Sequence, residues 1–215
     1  MDKYFREPVN GLTHLIGAAL SLVGLIALVI KAILTHSGFI AILSVIMFGI
    51  SMILLYSASA TYHSVISTEK VIYRLKKLDH SMIFVLITGS YAPFCLVALN
   101  NKTGLILFGA VLTSAVLGII FKMFWVGCPK WVSSVMYIAI GWFAIFAIYP
   151  LSQVLAPPAL FLLVLGGIMY TIGGVIYAFK DDKFQIGPFG THEIFHIFIM
   201  LGTLCHFIAV FFYVI

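Results

Sequence analysis

His192 and His196 stand one helical turn apart where the last apolar stretch of this chain begins, and His63 stands where the second one ends. A metal-seeking group at the edge of a membrane span costs free energy and is usually retained for chemistry. The i, i+4 spacing stacks two imidazoles on one helix face, about 6 Å apart along the axis, which suits two ligands of one ion. Three neutral imidazoles and a fourth position left to water form the open ligand set expected of catalytic zinc, whereas a structural zinc closes its shell with protein. Zinc is therefore the expected cofactor, although iron, copper and nickel also accept imidazole. Asp79 could orient a ligand histidine or take a proton from the attacking water. Ser59, one turn from His63, could donate a hydrogen bond to a substrate oxygen or to a ligand.

These residues can meet only if the elements that carry them bring them to one depth. Hydrophobic residues make up 63% of the chain and charged residues 9%, with a mean hydropathy of +1.17, too few polar groups to cover a soluble globule. Long apolar runs without alternation indicate helices rather than barrel strands. The runs predict an all-α bundle of seven transmembrane helices, at about 10–34, 39–64, 78–99, 103–124, 131–149, 157–179 and 190–215. The loops are too short to fold separately, so residues 1–215 read as one integral membrane domain. The charged opening Met1 to Pro8 leads into a span longer than a signal-peptide core, and is expected to be retained.

Ten Lys and Arg residues fall at one end of the bundle: Lys3, Arg6, Lys70, Arg74, Lys76, Lys77, Lys122, Lys130, Lys180 and Lys183. Two, Lys31 and Lys102, fall at the other. Positive loops stay cytoplasmic, so the N-terminus is expected inside and the C-terminus outside. The net charge of +5 follows from this bias and from contact with anionic lipid heads. Membrane lipids are the expected partners; nucleic acid is not one, and no protein partner is indicated. On this topology His63 ends its helix at the cytoplasmic side, Asp79 and His80 lie in the first turn of the third helix, and His192 and His196 open the seventh. Cys95, Cys128 and Cys205 are scattered, without metal-ligand spacing, and read as small buried hydrophobes. The Gly166-Gly167 and Gly173-Gly174 pairs mark a face where a neighbouring helix can approach.

Each polar residue also has an ordinary role available. Membrane histidines often cap a helix or bond a carbonyl, which suits His14, His36, His80 and His206, with His14 the least secure because it too begins a helix at the site's end. Asp79 could serve a helix dipole, and Ser59 could be packing. The run His192-Glu193-Ile194-Phe195-His196 also spells the HExxH string of metalloproteases, with Glu193 as base. Its extended form fails, because Ile199 and Gly202 stand where Gly and His are required.

Ser59-Ala60-Thr61-Tyr62-His63, Asp79-His80 and His192-Glu193-Ile194-Phe195-His196 together resemble the hemolysin III branch of the progestin and adipoQ receptor family. The opening Glu7-Pro8-Val9-Asn10-Gly11-Leu12-Thr13-His14 is similar to that branch as well. The resemblance implies zinc on His63, His192 and His196, with Asp79 and Ser59 near its water, in a multi-pass protein of a bacterial plasma membrane. A distant relation to alkaline ceramidases, which share the polar set, implies hydrolysis of lipid amides or esters in membrane-lipid homeostasis. The alternative is a non-enzymatic lipid sensor or cytolysin with structural zinc, and the lesser alternative is the HExxH intramembrane protease.

Overall fold

The structure, a computed structural model, describes residues 5–179 and 190–215. Seven helices are long and apolar enough to cross a membrane: α1 (Pro8–Leu34), α2 (Phe39–Ser64), α3 (Glu69–Leu99), α4 (Lys102–Trp125), α5 (Lys130–Val154), α6 (Pro157–Ala178) and α7 (Thr191–Val214). There is no strand among the described residues. The chain is a multi-pass all-α membrane protein, as its composition requires. Successive helices pack as neighbours, and contacts between α7 and α1 close the bundle. The aromatic and aliphatic core around Phe48, Met52, Phe84 and Val111 joins α2, α3 and α4.

Local sequence sets the helix ends. Pro8 and Pro157 occupy the first turns of α1 and α6, where a missing N–H costs nothing. The Asn101 side chain caps α4 by accepting the Gly104 N–H at 3.0 Å. Asn100 takes the left-handed conformation, with φ of 41°, that ends α3. Gly166 and Gly173 meet His206 and Phe198 of α7, the close approach expected of the glycine pairs.

Two boundaries differ from the sequence reading. The third helix begins at Glu69, not near residue 78, so Asp79 lies ten residues inside it rather than in its first turn. The charged stretch from Lys70 to Lys77 marks where the helix leaves apolar surroundings, not where it starts. A helix dipole therefore does not account for Asp79. The fifth span continues past residue 149 to Val154 through a 3-10 segment at Trp142–Ala147. The Tyr91 hydroxyl enters this break, donating to the Gly141 carbonyl at 2.7 Å and accepting the Ala144 N–H at 2.8 Å. It supplies partners for backbone groups that the interrupted helix leaves open.

Contacts define the two ends of the bundle. The N-terminus of α1 meets the C-terminus of α2 through Glu7 and His63, and His63 meets His192 at the start of α7. At the opposite end Lys31 reaches the Phe211 carbonyl. Of the ten cations assigned to the first end, Lys3, Lys180 and Lys183 lie outside the described residues. Lys122 is fully buried, with its ammonium donating to Cys128 Sγ at 3.1 Å and to Ser133 Oγ, so it does not face lipid heads. Cys128 accordingly acts as a hydrogen-bond partner, beyond the packing role expected of it.

Candidate metal centre

Three helices converge at the first end. His63 closes α2, whose last carbonyls lack intrahelical partners; the Glu7 N–H fills one of these vacancies, donating to the His63 carbonyl at 2.9 Å. Pro8 starts α1 immediately after Glu7, so this bond, with the Arg6 N–H donating to the Ser64 carbonyl at 3.4 Å, fixes both helix ends and brings the Glu7 side chain beside the His63 ring. Gly11 permits the approach, since a Cβ there would strike the Ser64 side chain.

His63, His192 and His196 each offer one ring nitrogen, and these atoms all lie within 4.8 Å of one another. His63 and His196 are buried, and His192 is half-buried. His192 Nε2 and His63 Nε2 are 3.2 Å apart, close to the separation of two nitrogens about 2.0–2.1 Å from one tetrahedral zinc. His63 Nδ1 lies 2.6 Å from Glu7 Oε2. That contact makes Nδ1 the protonated nitrogen and leaves the Nε2 lone pair for the cluster, the role carboxylates commonly play behind histidine ligands. The donor set therefore fits zinc in type and spacing, and His63 fits it in tautomer.

Glu7 is the residue that sequence reasoning passed over. Its Oε2 also accepts from Asn10 Nδ2 at 3.2 Å, and Oε1 pairs with Arg6 Nε at 3.2 Å. Partial burial pushes the Glu7 carboxyl up, but the hydrogen bond and charge of His63, with Arg6 and His192, outweigh burial and bring it down to about 2. The available signal was an acid directly before the first span, at the end where the histidines gather. Glu7, not Asp79, makes the contact with His63 Nδ1.

Asp79 and Ser59 are both buried and lie beside each other within electrostatic reach of His63. Ser59 Oγ has no hydrogen-bond partner among the described residues. His14 stacks on His196 with ring centroids 3.6 Å apart, and neither of its nitrogens has a partner there. It bonds no carbonyl among the described residues, unlike His206, which meets the Leu163 carbonyl at 3.2 Å as an ordinary membrane histidine would. Glu193 turns back on its own helix, where Oε2 accepts the Gly190 N–H at 2.9 Å.

The cluster opens into a cavity of about 300 Å³ running through the bundle interior. Ser59, Asp79, His192 and His196 line one end; Phe94, Leu107, Leu151 and His206 line regions farther along α3 to α7. Apart from such polar stations its walls are aliphatic and aromatic.

Seven membrane helices with three imidazoles, two carboxylates and a serine gathered at one end of an apolar cavity define the class of molecule. The profile of the Haemolysin-III related family matches residues 3–207. Hemolysin-3 of Bacillus cereus is 38% identical over 216 aligned residues, covering 100% of this chain and 95% of its own. The Hemolysin-3 homolog of Bacillus subtilis (strain 168) is 38% identical, covering 97% and 94%. An ADIPOR-like receptor of Saccharomyces cerevisiae is 33% identical over 63 residues, covering 27% of this chain and 20% of its own. The chain belongs to the Haemolysin-III related family.

Proposed function

We propose that this protein is a zinc-dependent hydrolase of lipid amides or esters, acting in membrane-lipid homeostasis in a bacterial plasma membrane with its N-terminus cytoplasmic. The supporting observation is the juxtaposition of an open three-imidazole cluster, Asp79 and Ser59 with a chain-sized apolar cavity. His63, His192 and His196 would hold the ion, which when bound supplies Lewis acidity and a lowered water pKa. The cavity wall accommodates the acyl chain and keeps bulk water from the reacting bond. The Asp79 carboxylate takes the proton of the water whose oxygen adds to the carbonyl carbon. It returns that proton to the departing nitrogen or oxygen as the C–N or C–O bond breaks. The Ser59 hydroxyl, beside Asp79, donates to the oxygen on which charge develops.

A second reading has its own observation. The Glu7–His63–His192 contacts tie α1, α2 and α7 together, which would suit a structural zinc in a non-enzymatic lipid sensor or cytolysin. The protease reading loses support from Glu193, whose carboxylate caps its own helix.

Purified protein incubated with a lipid extract, beside a chelator-treated control, separates these readings. Turnover is expected only with metal. Asp79→Asn should retain zinc and lose ~10²- to 10⁴-fold in rate, as for a general base. Glu193→Gln should stay active. An active Asp79→Asn beside an inactive Glu193→Gln would transfer the base to the HExxH string, and zinc-loaded protein without lipid turnover would favour the structural role.

A further inference from the structure

Lys122, Cys128 and Ser133 form a polar cluster that the chemistry above does not use. Lys122, in the last turn of α4, has no accessible surface. Lysine is almost never fully buried without a counter-charge, yet among the described residues no carboxylate stands within ion-pair distance of it. Its nitrogen instead lies 3.1 Å from Cys128 Sγ and against Ser133 Oγ, and the sulfur and hydroxyl are 3.4 Å apart. A thiol and a hydroxyl offset little of the cost of taking a lysine out of water. What they achieve is to hold a nitrogen nucleophile in contact with a sulfur.

Only the sulfur of this pair has to meet a reagent from outside. Cys128 is 8% exposed and lies in the turn between α4 and α5, flanked by the exposed Gly127 and Pro129. The reagent must therefore be small, and hydrogen peroxide is little larger than water. A peroxide-oxidised cysteine is commonly resolved by a second thiol, but the other two cysteines lie at other depths. Lys77 donates to the Met123 carbonyl, which sets the end of α4 level with residue 77 of α3. Cys95 is eighteen residues farther along α3, about 27 Å. Cys205 is thirteen residues beyond His192 on α7, about 20 Å from the end of the bundle where the histidines gather. Among the described residues the nucleophile in contact with the Cys128 sulfur is the Lys122 nitrogen.

We infer that Cys128 and Lys122 are a peroxide-sensitive pair that closes to a covalent sulfenamide. Hydrogen peroxide takes two electrons from the sulfur: its O–O bond breaks, one oxygen joins the sulfur as a sulfenic acid and the other leaves as water. The neutral Lys122 amine then attacks the sulfur with its lone pair. An S–N bond forms as the S–O bond breaks, and the hydroxyl departs as a second water with one amine hydrogen. The linked chain is two hydrogens lighter, and a thiol reductant reopens it to thiol and amine. The site is separate from the histidine cluster and independent of the lipid reading.

The purified full chain, exposed to hydrogen peroxide, is cut at Phe124 and Trp125, which lie between the two residues, and mapped by mass spectrometry without reductant. A linked pair of peptides, two hydrogens lighter than their sum and parted by dithiothreitol, is expected as the main Cys128 product. In Lys122→Met the link should be lost, and a dimedone trap for sulfenic acid should label Cys128 instead. Lys122→Arg, whose guanidinium stays charged and does not attack, replaces it should the Met protein not assemble. Sulfenic or higher acids on Cys128 beside an unlinked Lys122 in the unaltered protein would overturn the proposal, as would an unoxidised Cys128. A link that retains the oxygen, or one that persists in a Lys122 variant, would overturn it as well.

Discussion

Replacing Glu7 by Gln isolates the carboxylate that stands behind His63. The substitution keeps side-chain shape and leaves intact the backbone bond from residue 7 to the His63 carbonyl, at 2.9 Å, that joins α1 to α2. It removes the charge from the 2.6 Å contact with His63 Nδ1. A neutral amide oxygen can still accept the Nδ1 proton, but it raises the basicity of Nε2 far less than a carboxylate does. Loss of such a partner typically lowers metal affinity ~10- to 100-fold, about 1.4 to 2.7 kcal/mol. Competition between the purified protein and a chromophoric zinc chelator measures the change. Glu7→Gln should lie within that range, while His63→Ala, His192→Ala and His196→Ala should fall far below it, each removing a ligand of the single expected zinc. Unchanged zinc affinity in a folded Glu7→Gln protein would refute the coupling of Glu7 to the cluster.

Three further outcomes can be measured. Thr203 accepts the Tyr56 hydroxyl at 2.7 Å and the Tyr170 hydroxyl at 2.9 Å, so Thr203→Val should cost about 1 to 3 kcal/mol in denaturant unfolding, at ~0.6 to 1.7 kcal/mol per membrane hydrogen bond; a neutral effect would mean the tyrosines find other acceptors. The Glu7 carboxyl is lowered from 4.5 to about 2 on folding, so it stabilises the metal-free protein above pH 4.5 and that contribution disappears as pH falls toward 2. Melting temperatures measured across this interval should therefore drop less in Glu7→Gln than in the unaltered protein, and parallel curves would contradict the assignment. Cysteine labelling should find positions near Lys76 shielded in intact cells and Ile215 reachable from outside; the reverse pattern would invert the orientation.

The spans were legible because a continuous apolar run of membrane length leaves the backbone no other hydrogen-bonded solution. Their ends were less so, for two separate reasons. Hydropathy reports where a helix leaves lipid, and α3 goes on for two to three turns beyond that point, carrying Lys70, Arg74 and Lys76. The fifth apolar run reads as ending at residue 149, yet the 3-10 break restarts an α-helical segment at Ile148 that carries Pro150. That places the proline in a first turn, where it breaks no hydrogen bond. His63, His192 and His196 were readable as a set from spacing and shared depth, and the structure brings them together. Glu7 was not, because its role depends on a helix end 56 residues away. His14 falls between the two: its end of the bundle was readable, its stacking on His196 was not.

The HExxH string shows why position within a helix decides what a motif can do. In the metalloprotease arrangement the glutamate must be free to reach the ion that its two histidines hold. Glu193 is in the first turn of α7, where unpaired backbone N–H groups attract a carboxylate through hydrogen bonding and the helix dipole alike. The Gly190 N–H takes it. Asp79 is in the opposite situation, ten residues inside α3, with the helix backbone around it already paired and Ser59 beside it on the cavity wall. A carboxylate held away from its own helix end can serve a reacting water; one that closes its helix end cannot do so without uncapping it. In the proposed mechanism the two histidines of the string keep their part in the cluster, while the acid paired with them in chemistry comes from α3.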